Sequence, residues 1–96
     1  MRTLTTSPWG AVQDQKELAP GIIQVWTASH GGIWVEPAKW ATMPIKTTGY
    51  SEDGWFEEDC DWALVALAFP EAFDAKSLAY AEKMKAGDYF KQMGVQ

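Results

Sequence analysis

Three groups of residues carry side chains that could do chemistry. The first is Thr27-Ala28-Ser29-His30-Gly31-Gly32, where the chain's one histidine stands beside a hydroxyl and two glycines. An imidazole there could serve as a general acid or base, and glycine amides could donate to an anion. The second is Cys60, the one thiol, flanked by Asp59 and Asp61. In the first turn of a helix a thiol is more acidic and a better nucleophile. The third is the carboxylate block Glu52, Asp53, Glu57, Glu58, Asp59 and Asp61. Within it Glu57/Asp61 and Glu58/Asp61 have the spacing at which helical side chains share a face, as a metal pair requires.

Each group also has a plainer explanation. The His30 loop reads equally as a tight hairpin, with glycines supplying geometry and His30 capping the turn or packing on Trp34. Cys60 shares an apolar stripe with Phe56 and Leu64, and its acidic neighbours oppose thiolate formation, so a small buried thiol is preferred. Neighbouring helical carboxylates point in different directions, so metal binding is set aside for a solvated or partner-binding acidic face. No catalytic residue is assigned; His30 and Cys60 are the weak candidates, and no cofactor or metal is expected. Trp34, Trp40, Trp55 and Trp62 are read mainly as core. Trp55 is the exception to watch, because an aromatic amid carboxylates suits a protein interface, where aromatics anchor and charges steer.

The elements that must position these groups follow from hydrophobic pattern and punctuation. Residues 1–6 read as a flexible arm, tethered by Trp9 within the turn Ser7-Pro8-Trp9-Gly10. Residues 12–18 form an exposed strand, and Ala19-Pro20-Gly21 is a strong turn. Ile22 to Ala28 is rich in β-branched and aromatic residues and makes the best strand in the chain. Both of its faces carry apolar residues, so both can be covered. A third strand spans 33–36. A short helix is expected over 38–43, between Pro37 and Pro44, then a loop over 45–53. The apolar run Trp62 to Phe69 behind the acids predicts a buried central helix over 56–69, ended by Pro70. A C-terminal helix follows over 72–86, with Asp74 as its N-cap, and a short closing helix over 88–93. The fold class is α+β, a three-stranded antiparallel sheet packed on two helices in one domain.

Composition narrows the function classes. The chain's 96 residues can build one core without staples, and six tryptophans are more than such a core easily hides. One cysteine excludes an internal disulfide and fits a reducing compartment. Met1 to Thr6 lacks the apolar segment of a signal peptide, and the longest apolar run falls far short of a membrane span. The expectation is a soluble protein of the cytoplasm. Net charge is −5, and eight acids lie between Lys46 and Lys76 without one basic residue. That stretch opposes direct nucleic-acid binding and attracts a basic protein surface.

Ser7-Pro8-Trp9-Gly10, Ala19-Pro20-Gly21-Ile22, Thr27-Ala28-Ser29-His30-Gly31-Gly32-Ile33 and Gly54-Trp55-Phe56-Glu57-Glu58-Asp59-Cys60-Asp61-Trp62-Ala63 together resemble a family of small domains. These domains occur on bacteriophages, plasmids and other mobile elements, alone or appended to larger proteins. The resemblance covers residues 7 to about 70 and implies context rather than activity: a short accessory protein acting in a host cell. The expected function is an anti-defence inhibitor, such as an anti-CRISPR protein. Its binding residues would be Ser29, His30, Glu52, Asp53, Trp55, Glu57, Glu58 and Asp61, set against a basic, nucleic-acid-binding effector. The alternatives are a small enzyme using His30 with the acidic cluster or Cys60, and a structural or interaction module of a phage or plasmid.

Overall fold

A computed structural model describes residues 3–43, 54–58 and 61–86. The 45–53 loop, Glu52, Asp53, Asp59, Cys60 and the expected 88–93 helix lie outside the described residues. Strands β1 (Thr6–Ser7) and β2 (Gly10–Ala11) form a small antiparallel hairpin. Strands β3 (Asp14–Ala19), β4 (Ile22–Trp26), β5 (Gly31–Val35) and β6 (Trp55–Glu57) follow one another across a four-stranded antiparallel sheet. Helices α1 (Pro37–Trp40), α2 (Trp62–Ala68) and α3 (Ala75–Ala86) complete the order, with a 3-10 turn at Pro70–Ala72.

The sheet buries both faces, as the pattern of the middle strand implied. On one face Ile22, Ile33, Val35 and Phe56 pack with Ala63, Leu64, Val65 and Ala66 of α2. On the other, Ile23, Val25 and Trp34 pack beneath Leu4, Trp9, Val12 and Trp55. The alternation along β4 divides its side chains between the two cores. In β3 a register shift between Glu17 and Ala19 breaks that alternation. The bulge lets consecutive Leu18 and Ala19 both pack against the helix-covered core.

The expected three-stranded sheet is thus corrected to four strands, and the fourth is taken from the expected central helix. Trp55–Glu57 pairs with β5, Trp55 opposite Trp34 and Phe56 opposite Ile33. Gly54 enters this strand at a φ of 90°, and its carbonyl accepts the Val35 N–H at 2.9 Å. A positive φ is open to glycine at little steric cost. The helical spacing of Phe56 with later apolar residues therefore arose from a strand residue and a helix meeting in one core. The helix itself spans Trp62–Ala68 and stops where Pro70 requires, with Phe69 at φ −132° and ψ 67°.

Other boundaries shift less. The strands expected at 12–18, 22–28 and 33–36 occupy 14–19, 22–26 and 31–35. The C-terminal helix starts at Ala75 rather than 72, because the 3-10 turn intervenes. Asp74 caps it as expected, its carboxylate accepting the Ser77 N–H at 2.7 Å. The N-terminal arm is not free along its length. Leu4 donates its N–H to Gln15 Oε1 at 3.1 Å, and Val12 donates to the Thr5 carbonyl at 3.1 Å.

Candidate binding site

The β4–β5 connection, Thr27 to His30, is closed by Thr27. Its N–H and hydroxyl both donate to the His30 carbonyl, at 2.8 and 2.7 Å, and its hydroxyl accepts the His30 N–H at 3.1 Å. Ser29 and His30 are left exposed. The two glycines belong to β5 rather than to the turn, and close approach explains them. A side chain at Gly32 would strike the Trp9 ring and the Phe56 carbonyl, and one at Gly31 would strike the Glu58 carboxylate.

The structure gathers Ser29, His30 and Glu58 at one end of the sheet, since Glu58 donates its N–H to the Gly31 carbonyl at 3.1 Å. It separates the remaining candidates. Trp55 is half-buried on the arm-covered face, 5.8 Å from Trp9 edge-to-face and 6.5 Å from Trp34 between ring centroids. Glu57 lies opposite Gly32 and is partly buried. Asp61, expected on an acidic surface, is only 1% exposed and directly precedes α2. Among the described residues no group of three His, Cys, Asp or Glu side chains is placed to hold a metal ion.

One concave site opens on the helix-covered face, at the margin the helices leave open. Its cavity is about 660 Å³, bounded by Lys16, Gln24 and Ile33 of the sheet and by Trp62, Phe73 and Asp74 of the helical layer. That volume lies within the range of ordinary ligand clefts. Glu58 closes the cavity at the hairpin end, and Ser77 at the start of α3. The aromatic wall is a stack: Trp62 lies 6.1 Å from Phe73 and 6.0 Å from Tyr80, which is 57% exposed. Beyond Gln24 on the same strand face comes Trp26, 36% exposed and paired with Gly31 in register.

Three acids, Glu17, Glu58 and Asp74, and one base, Lys16, line the cleft. The N–H and hydroxyl of Ser77 hold the Asp74 carboxyl below its usual range, and Lys76 and Lys16 add to this. Asp74 is therefore ionised at neutral pH. Lys16, Gln24, Trp26 and Asp74 had not stood out as site residues. Nothing local marks Lys16, Gln24 or Trp26; the pairing of Lys16 with Gln24 makes those two neighbours, and the pairing of Trp26 with Gly31 sets Trp26 at the hairpin end.

Comparison with protein families supplies the context. A model described as a domain of unknown function, DUF7007, matches residues 2–92. The chain belongs to the DUF7007 family. No curated protein and no solved structure matched it. The DUF7007 match spans both the arm and the sheet it covers, so family membership takes in the whole two-faced core. Among the described residues of this DUF7007 domain, no helix is long and apolar enough to cross a membrane.

Proposed function

We propose that this DUF7007 domain acts by binding rather than by catalysis. It is a small acidic accessory protein of a phage or plasmid that works in the host cytoplasm as an anti-defence, anti-CRISPR-like inhibitor. Its partner is a host effector whose basic, nucleic-acid-binding surface it covers. The observation that carries this reading is the open margin of the sheet's helix-covered face. There exposed Trp26 lies beside the Glu58 carboxylate at Gly31, and Asp14 stands opposite Trp26 on β3. An exposed aromatic bordered by carboxylates has the composition of an interface anchor with steering charges. The sequence adds the acids between Lys46 and Lys76 to the same argument.

The enzyme alternative has weaker support. His30 is held by backbone contacts in an exposed hairpin, outside the lining of the cleft. A general base works best where water is partly excluded and a reacting group can be positioned.

The test is capture of the partner from its host, followed by measurement of that partner's nucleic-acid binding. Added DUF7007 domain should abolish it. A Trp26→Ala, Glu58→Gln variant should inhibit less and associate more slowly at low salt, because steering charges act mainly on the on-rate. Unchanged nucleic-acid binding by the captured partner would end the inhibitor reading.

A further inference from the structure

We infer that the cleft between Lys16, Gln24 and the Phe73–Asp74 entry to α3 receives an arginine side chain of a protein partner. This deepens the proposed function, on which it rests for the partner's basic character. Three features of the cleft point to a guanidinium. Its lining sets three acids, Glu17, Glu58 and Asp74, against the single ammonium of Lys16, an excess of negative charge that attracts a cation with several N–H donors. Its wall is aromatic, through Trp62 and Phe73, and suits a flat, weakly hydrated cation better than a compact ammonium. Gln24 adds a neutral carbonyl acceptor on the sheet floor.

Lys16 gives the inference its sharpest consequence. Lys16 lines the cleft, and its charge adds a small part to the effects that hold the Asp74 carboxyl below its ordinary range. It thus acts as a tethered cation in the place the arginine would take. Binding must displace it, so Lys16 weakens an incoming arginine that the acids of the cleft attract. A phosphate-bearing ligand would instead meet Glu58 and Asp74 as repelling charges.

The inference is tested by titrating a short neutral peptide carrying one arginine into the intact domain, followed by NMR. The amides of Gln24, Gly31 and Ser77 and the indole of Trp62 should shift together and saturate. A lysine peptide of the same sequence should bind several-fold more weakly. Glu58→Gln with Asp74→Asn should weaken binding by about tenfold, the asparagine keeping the helix cap. Lys16→Gln should tighten it about threefold. Lys83→Gln on α3, exposed and outside the cleft lining, changes net charge equally and should leave affinity nearly unchanged. Shifts spread evenly over the acidic surface, equal binding of the lysine peptide, or equal effects of Lys16→Gln and Lys83→Gln overturn the cleft assignment. Those results leave the basic-partner reading standing, whereas a captured effector with no basic contact surface overturns that reading whatever the peptide does. An uncharged aromatic amide that binds the cleft more tightly than the arginine peptide also overturns the inference, in favour of a small-molecule site.

Discussion

The two faces of the sheet are closed by different means. The helix-covered face is filled by aliphatic side chains, with Phe56 fully buried among Ile22, Ile33, Val35 and the residues of α2. The arm-covered face is closed by few residues and by tryptophans. Trp9 reaches across from a two-residue hairpin, meets Trp55 edge-to-face, and lies where Gly32 leaves room for its ring. A helix brings many side chains to a sheet through one cooperative element. An arm must compensate for its few contacts with large ones, since each buried aromatic removes roughly 150–250 Å² from water. The first face should therefore set global stability, and the second should open more easily.

The largest effect expected from this contrast is on the helix-covered face. Phe56→Ala should destabilise the domain by about 3–5 kcal/mol, since it empties a fully buried site between β6 and α2. Urea denaturation checks the value. A loss below about 1 kcal/mol would mean that the face is loosely packed and can collapse into the space. Leu64→Ala should fall in the range of about 2–5 kcal/mol by the same reasoning.

A smaller effect is expected at the arm. Gly32→Ala drives a methyl group into the Trp9 ring and the Phe56 carbonyl, and should cost about 1–3 kcal/mol. Combining it with Trp9→Ala should give less than the sum of the separate losses, because the first change already displaces the ring. Strict additivity would show that Trp9 does not depend on the glycine. The break should also appear locally, as faster hydrogen exchange at Val12 with that of Val65 unchanged.

How much of this contrast the sequence carried depends on the range of the forces involved. The meander from β3 to β5 was legible because Pro20-Gly21 and the β-branched run after it act within a few residues. The stop at Pro70 and the cap at Asp74 were legible for the same reason. The strand at Trp55–Glu57 was not. Its choice of strand over helix is made by pairing with β5, and locally its acids resemble a helix start. The double coverage of β4 could be read from its apolar faces, and Trp9 was expected to tether the arm. That Gly32 exists to admit the Trp9 ring could not be read, because the two are far apart in sequence. The candidate site divides in the same way. Ser29, His30 and Glu58 were identified from their types and come together, whereas Asp61 was assigned to a surface and is buried. Trp26 and Lys16 become site residues only through the strand register.

The smallest expected effect separates the faces by pH. Asp74 caps α3, and hydrogen bonds from Ser77 hold its carboxyl below the ordinary value of 3.8. A depressed carboxyl contributes stability above its unfolded pKa and loses it as pH falls through the folded one. The contribution is thus intact at neutral pH, begins to fade near 3.8, and is gone below the folded value. Its structural effect should be confined to the helix-covered side, where α3 packs on α2, because among the described residues the arm carries no helix cap. The indole N–H of Trp62, which stacks on Tyr80 of α3, should therefore move in acid before those of Trp9, Trp34 and Trp55. Asp74→Asn should remove this early acid step while preserving the cap, whereas Asp74→Ala should lower the thermal midpoint at neutral pH. If all four indoles moved together in the wild type, acid would be acting on the whole domain. The faces would then unfold as one cooperative unit rather than in sequence.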